Sequence, residues 1–197
     1  MNERQEAGLR ARLVATGVEL VAREGVQALT LREIARRAGV SHGAPRRHFP
    51  THLSLLSAIA AEGFALLGAR LAVAAQAAGP APRARVAALG RAYLEFARTE
   101  RGMYELMFRH DLLESGRQGG LRTTSLPLFE QFTALVDQAR PRSEIPAAVV
   151  AGALWAGLHG IAQLWGWGSL QLATGAEDVE PLLRAVLDAH LGAGEGQ

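Results

Sequence analysis

Apolar residues along this chain recur at intervals of three and four, and alternation of period two is absent, which predicts an all-helical protein. Leu9, Leu13, Gly17, Leu20 and Val21 form one stripe and predict a first helix from Arg10 to Arg23, with Gly25 just past its end. A second helix is expected to start at Thr30. There Thr30-Leu31-Arg32-Glu33 has the form of a capping box, in which the hydroxyl accepts the Glu33 amide and the carboxylate returns to the Thr30 amide. Its apolar face is Leu31, Ile34, Ala35 and Ala38, its polar face is Arg32, Glu33, Arg36 and Arg37, and Gly39 supplies the left-handed backbone that ends it. Ser41 is placed to cap a short third helix that stops at Phe49-Pro50. Thr51 then caps a long fourth, whose stripe Leu53, Leu56, Ala60, Phe64, Leu67 and Leu71 runs to the breaker Gly79-Pro80-Ala81-Pro82.

The same periodicity continues. Val86, Leu89, Tyr93 and Phe96 mark a fifth helix, and Met103, Leu106, Met107 and His110 a sixth. After the glycine-rich loop 115–120, Leu128, Phe132, Leu135, Val136 and Ala139 mark a seventh. The last helix has Glu177, Asp178 and Glu180 at its start, Pro181 in its first turn, His190 at its end and Gly192 beyond, a polarity that suits the helix dipole. From Ile145 to Ala176 there is no Asp, Glu, Lys or Arg, which on length alone raises a membrane span. His159 and Gln163 in its middle, the Gly166-Trp167-Gly168 break and the lack of flanking basic clusters argue instead for a helix buried among others. Within it Gly152, Ala156 and Gly160 recur every fourth residue. With Val179, Leu182, Leu183 and Val186 of the last helix they are expected to form a close-packed homodimer interface, a four-helix bundle.

Two short helices joined across Ala38-Gly39-Val40-Ser41 are a helix-turn-helix. The expected division is therefore a DNA-binding domain over 1–52 and a helical ligand-binding and dimerisation domain over 53–197. Charge supports it. All 21 basic residues are arginine; residues 1–52 hold 9 of them against 5 acids, whereas residues 53–197 hold 12 against 14. A basic head thus sits on a mildly acidic body, the footprint of a phosphate-binding surface. Absence of cysteine excludes disulfides, thiolate metal sites and a cysteine nucleophile. Charges at Arg10, Arg12, Glu19 and Arg23 interrupt the first apolar segment, so no signal peptide is expected and the composition fits a cytoplasmic protein.

Residues 14–56, above all LTLREIARRAGVSHGAPRRHFPTHLSLL, resemble the DNA-binding domain of the TetR family of bacterial transcriptional regulators. The shared features are the capped Thr30 helix with Ile34-Ala35, the turn, Gly43, and the His48-Phe49-Pro50 exit into a long helix. Trp155-Ala156-Gly157-Leu158-His159-Gly160 resembles the Trp-x-x-x-His-Gly stretch of one subgroup of TetR-like C-terminal domains. The resemblance implies a ligand-responsive regulator, and repression in place of activation follows from it alone. Pro45, Arg46 and His52 depart from the family's usual aliphatic residue, tyrosine and lysine.

The residues themselves support a DNA-reading role. His42, Gly43 and Ala44 are short enough for a recognition helix to approach the major groove, and Thr30, Arg32, Ser41, Arg46, Arg47, His48 and His52 can donate to phosphates at the flanks. Two such helices in a dimer predict an inverted-repeat operator. His52 exchanges a constant charge for one that varies with pH, which predicts DNA affinity that strengthens as pH falls. His42, His48 and His52 are not expected to bind metal, because Phe49-Pro50 breaks the helix between the last two. No phosphate-cradling loop, HExxH or G-x-S-x-G motif is present, so neither catalysis nor a cofactor is expected. Phe64, Phe96, Met103, Tyr104, Met107, Phe108, Phe129, Phe132, Trp155, His159 and Gln163 are the candidates to line an effector cavity, although residues of these types at helical spacing also serve as ordinary core. The rival reading is an all-helical small-molecule-binding or membrane-associated protein whose helix-turn-helix reads no DNA.

Overall fold

The computed structural model describes residues 3–109, 111–112, 121–140 and 144–193, with side chains from residue 8 onward. Every regular element among them is helical: α1 (Glu3–Glu24), a 3-10 turn (Val26–Ala28), α2 (Leu31–Arg37), α3 (Ala44–His48), α4 (His52–Ala77), α5 (Pro82–Thr99), α6 (Arg101–Met107), α7 (Leu121–Ala139), α8 (Ala147–Gly166), α9 (Ser169–Thr174) and α10 (Glu180–Leu191). His110 and the loop 115–120 lie outside the described residues. The chain forms two units, Met1–Leu66 with Glu100–Ser125, and Leu67–Thr99 with Leu126–Gln197.

In the first unit α1 packs on α2, α3 and α6. Leu13, Leu20, Ile34, Leu55, Ile59 and Leu106 are fully buried there, each worth about 1.5–3 kcal/mol of transfer free energy. Two glycines set how closely the helices approach. A Cβ on Gly17 would stand 2.2 Å from Ile59 Cδ1, and one on Gly102 would stand 2.5 Å from the Val21 carbonyl oxygen. The first of these contacts meets a side-chain tip; the second meets backbone, which cannot step aside.

Helix α1 begins about two turns before the expected start at Arg10, at Glu3, because nothing in Glu3-Arg4-Gln5-Glu6 breaks a helix. The end of α2 follows the expected chemistry. Gly39 has φ +66°, its N–H donates to Arg36 O, and the Val40 N–H reaches back to Ala35 O at 3.0 Å, the two bonds of a Schellman motif.

In the second unit α5, α8 and α10 pack together. Gly90 of α5 lies against Leu183 and Leu158, and Gly157 of α8 against Val186, so bare backbone again sets the approach. Arg91 pairs with Glu180 at the start of α10. Arg83 pairs with Asp188 and donates to Gly192 O at its end. Helix α7 starts at Leu121 and carries Pro127 in its seventh position, earlier than the stripe from Leu128 suggests; the proline removes one N–H but is exposed. Gly168, with φ +76°, turns the chain from α8 into α9. α4 and α8 are both long and apolar enough to cross a membrane by length and composition, with mean hydropathies of 1.6 and 1.5.

Candidate functional site

The capping chemistry around the helix pair is redistributed relative to the sequence pattern. Thr30 Oγ1 does accept the Glu33 N–H at 3.2 Å, but the Glu33 carboxylate does not close the box, since the Thr30 N–H donates to Ala28 O. Glu33 instead takes Arg36 at 2.6 and 2.9 Å and Arg37 at 2.7 Å, and Arg37 also binds Glu24. Two guanidinium groups on one carboxylate outcompete a backbone amide, because charge-assisted bonds are stronger than neutral ones. Hydrogen bonds from Arg36 and then Arg37 lower the Glu33 pKa to about 2. The reciprocal box forms at α4 instead, where Ser54 N–H donates to Thr51 Oγ1 at 3.0 Å and Thr51 N–H donates to Ser54 Oγ at 3.2 Å.

Ser41 does not cap α3 with its side chain. Its carbonyl accepts the Ala44 N–H, and α3 starts only at Ala44 with Gly43 as N-cap. A serine side chain three residues before the first helical residue is out of reach of the amides that need capping. Pro45 occupies the first turn, where its missing N–H costs nothing, and it is buried. Its carbonyl accepts the Phe49 N–H at 2.8 Å, while Phe49 is buried and carries the Arg10 guanidinium 5.1 Å from its ring centroid. With Pro45 inward, Arg46 and Arg47 are exposed. Helix α3 is thus anchored by its proline and phenylalanine and presents its arginines.

Thr30, Arg32, Ser41, His42, Gly43, Arg46, Arg47 and His52 are exposed, and Ala44 and His48 half-buried, all in the first unit. Among the described residues Arg32, Arg46 and Arg47 have no ion-pair partner, in contrast to Arg36 and Arg37. His52 is committed on one side: its Nε2 lies 2.5 Å from Leu29 O, tying the start of α4 to the residue before the α2 cap.

The candidate cavity residues fall into two groups. Phe64, Met103, Tyr104, Met107 and Phe108 belong to the first unit, where Phe108 makes edge contacts with Phe64 and Tyr104 at 5.7 and 5.0 Å, and the methionines cover Gly63. In the second unit Phe96 is fully buried under Arg70, a core residue. Phe129 meets Phe132 and Trp155 at centroid distances of 6.5 and 6.2 Å, and Trp155 meets His159 at 5.8 Å. Tyr93, legible in the sequence only as a core marker, hydrogen-bonds through its hydroxyl to His159 Nδ1 at 2.9 Å. Burial pushes the His159 pKa down, so the ring favours its neutral form. Gln163 is half-buried one turn farther along α8. A polar-tipped tyrosine within the α5 stripe, with one histidine in an otherwise ionisable-free helix, is the signal that could have paired them.

Of the candidate dimer residues, Gly152 and Gly160 have nothing within 4 Å of a built Cβ, and Ala156 is exposed. Val179 and Leu182 are half-buried, Val186 covers Gly157, and Leu183 is fully buried inside the protomer against Gly90.

Residues 13–59 match the family described as bacterial regulatory proteins, tetR family, and residues 86–190 match the tetracyclin repressor-like C-terminal domain. No curated protein matches the sequence. Among solved structures, a protein of unknown function from Rhodococcus sp. RHA1 is 30% identical, with 93% of each chain covered and a TM-score of 0.71. The multidrug binding protein EbrR, complexed with imidazole, is 26% identical over 100% of this chain and 96% of its own, with a TM-score of 0.66. RolR in complex with resorcinol is 17% identical over 98% of this chain and 91% of its own, with a TM-score of 0.66, a likeness of fold. On the C-terminal match, which alone spans more than half of the chain, and the helix-turn-helix match before it, the chain belongs to the TetR family of bacterial transcriptional regulators.

Proposed function

We propose that this protein is a ligand-responsive repressor that works in the cytoplasm as a homodimer, holds an inverted-repeat operator, and releases it when a small molecule binds. One observation carries the DNA half of this reading. Arg36 and Arg37 are neutralised by Glu33 and Glu24, whereas Arg32, Arg46 and Arg47 are exposed without carboxylate partners, in the same unit as the exposed His42-Gly43 turn. Residues 1–52 form the reading head and 53–197 the regulatory body. Arg46 is a phosphate donor or a guanine reader in place of the family's tyrosine. The exposed ring of His52 gives its Nε2–H to Leu29 O, which fixes it at the start of α4 in the same unit as these arginines.

The dimer is formed by the open face of α8, centred on Gly152, Ala156 and Gly160, with Leu182 of α10 and Val179 at its N-cap. The Trp155, His159 and Gly160 spacing supports reading the C-terminal domain as one of the Trp-x-x-x-His-Gly subgroup. Ligand and DNA prefer different settings of the protein, and the two compete by linkage. Helix α4, whose residues belong to both units, is the element that transmits the choice. The small-molecule complex of EbrR supports an effector in this fold. The chain is assigned no catalytic role and no membrane.

Selection of bound duplexes from a random-sequence library at about physiological salt tests the reading. Enrichment of one inverted repeat is expected. A folded, dimeric protein that enriches nothing would overturn it in favour of the all-helical binding protein without DNA readout.

A further inference from the structure

A tight turn precedes the helix that carries Arg32. Leu29 has φ −74° and ψ 65°, and the Thr30 N–H donates to Ala28 O at 2.8 Å, which makes Leu29 the centre of an inverse γ-turn. That turn sets the direction in which α2 leaves the 3-10 turn. Leu29 is buried, at 2% exposure, and the ladder of α2 starts only at Thr30 O, which accepts the Ile34 N–H. The carbonyl at the centre of the turn therefore needs a donor from elsewhere, and His52 Nε2 supplies it at 2.5 Å. A carbonyl can only accept, so the ring carries a proton on Nε2. His52 is itself the first residue of α4, placed by the reciprocal Thr51–Ser54 box, and the same segment begins at Phe49, the buried C-cap of α3. One short stretch of chain thus ties the end of the helix that presents Arg46 and Arg47 to the turn that aims Thr30 and Arg32.

We propose that His52 is a positioning residue for operator recognition: through Leu29 O it sets Thr30 and Arg32 at the start of α2 relative to Arg46 and Arg47 on α3. It acts on the protein's own backbone in place of a phosphate. Its Nε2–H is already given to Leu29 O, and in a neutral ring the other nitrogen is an acceptor, which a phosphate oxygen cannot use. The inference rests on the proposed reading of residues 1–52 as the DNA-reading head.

The full chain and its variants His52→Gln, His52→Asn and His52→Ala are titrated with the selected operator and with a duplex of unrelated sequence. Glutamine carries its amide nitrogen as far along the side chain as Nε2, and asparagine as far as Nδ1, so the pair separates the two ring nitrogens. His52→Gln is expected to hold operator affinity within about twofold of wild type, and His52→Asn and His52→Ala to weaken it about tenfold, the scale of one hydrogen bond. Binding to the unrelated duplex should stay at the wild-type level in all three, because phosphate attraction does not depend on how the bases are met. Nitrogen NMR of the ring in the free protein should find the proton on Nε2. Rescue by asparagine and not by glutamine would put Nδ1 on the DNA. Equal loss in all three variants, or no loss in any, would leave the Leu29 bond without a role in recognition, and parallel loss on the unrelated duplex would make His52 a phosphate contact. Each of these, like a neutral ring protonated on Nδ1, overturns the proposal. A wild type that selects no operator sinks the regulator reading itself, whereas a wild type that binds its operator without this pattern of variants sinks only the role given to His52.

Discussion

The two units dispose of their apolar surface differently. Of the large apolar side chains exposed among the described residues, only Leu66 lies in the first unit. Val73, Leu126, Ile145, Val149, Trp155, Leu164, Trp167 and Leu172 all lie in the second, and Leu172 is 90% exposed. The glycines single out one helix face: Gly17, Gly63 and Gly102 of the first unit and Gly90 and Gly157 of the second press on atoms of their own unit, while Gly152 and Gly160 on α8 face nothing within 4 Å. The first unit closes on itself and turns charge outward. The second leaves eight large apolar side chains outward, with Val149, Trp155 and Leu164 on α8, and apolar surface of that extent marks an interaction face where it is contiguous.

The largest effect should come from placing a charge on the exposed face of α8. Ala156→Arg is expected to weaken dimerisation by on the order of 4 kcal/mol, since a buried unpaired charge costs several, while leaving the helical signal of the protomer intact; sedimentation equilibrium reads it. A dimer of undiminished affinity would move the interface elsewhere. Next comes the opposite operation in the first unit. Gly102→Ala drives a Cβ against the Val21 carbonyl and should destabilise by about 3 kcal/mol in urea unfolding. In the Ala156→Arg background, where that face is not covered by a partner, Gly152→Ala meets nothing within 4 Å and should stay within about 1 kcal/mol of its parent. Equal costs at the two positions would erase the contrast.

Smaller effects probe the arginines. Arg46→Ala should weaken operator binding by about 1 to 3 kcal/mol, uniformly over sequences if the contact is to phosphate and at one base position if it reads guanine; binding to single-base operator variants distinguishes the two. The smallest effect is acid sensitivity. Glu33 is depressed in the folded state, so its contribution to stability is complete above the ordinary carboxylate range and is lost as pH falls toward about 2. Because the group is exposed, the change is modest. Glu33→Gln should flatten the thermal midpoint against pH between about 5 and 2.

The sequence was most informative where structure is local. Gly39, Thr51 and the Phe49-Pro50 exit act within a few residues of themselves, so type and spacing sufficed to locate the ends of α2, α3 and α4. It misled where side chains had a choice of partner. The Thr30 pattern promised a reciprocal box, yet Glu33 had Arg36 and Arg37 within the next turn and took them. Ser41 looked like a cap, but α3 begins beyond its reach. Contacts between distant segments were least legible. Tyr93 and His159 are separated by 66 residues, and Leu183, an interface candidate by spacing, is enclosed by Gly90 and Leu158 of its own protomer.

The central claim is that a sorted set of arginines meets DNA. Its most direct measurement is the slope of log operator affinity against log salt for wild type, Arg46→Ala and Arg36→Ala, because each phosphate contact contributes roughly 0.9 to that slope. The wild-type slope should be steep, Arg46→Ala should reduce it by about 1, and Arg36→Ala should leave it nearly unchanged. A flat wild-type slope, or equal reductions in the two variants, would contradict the account.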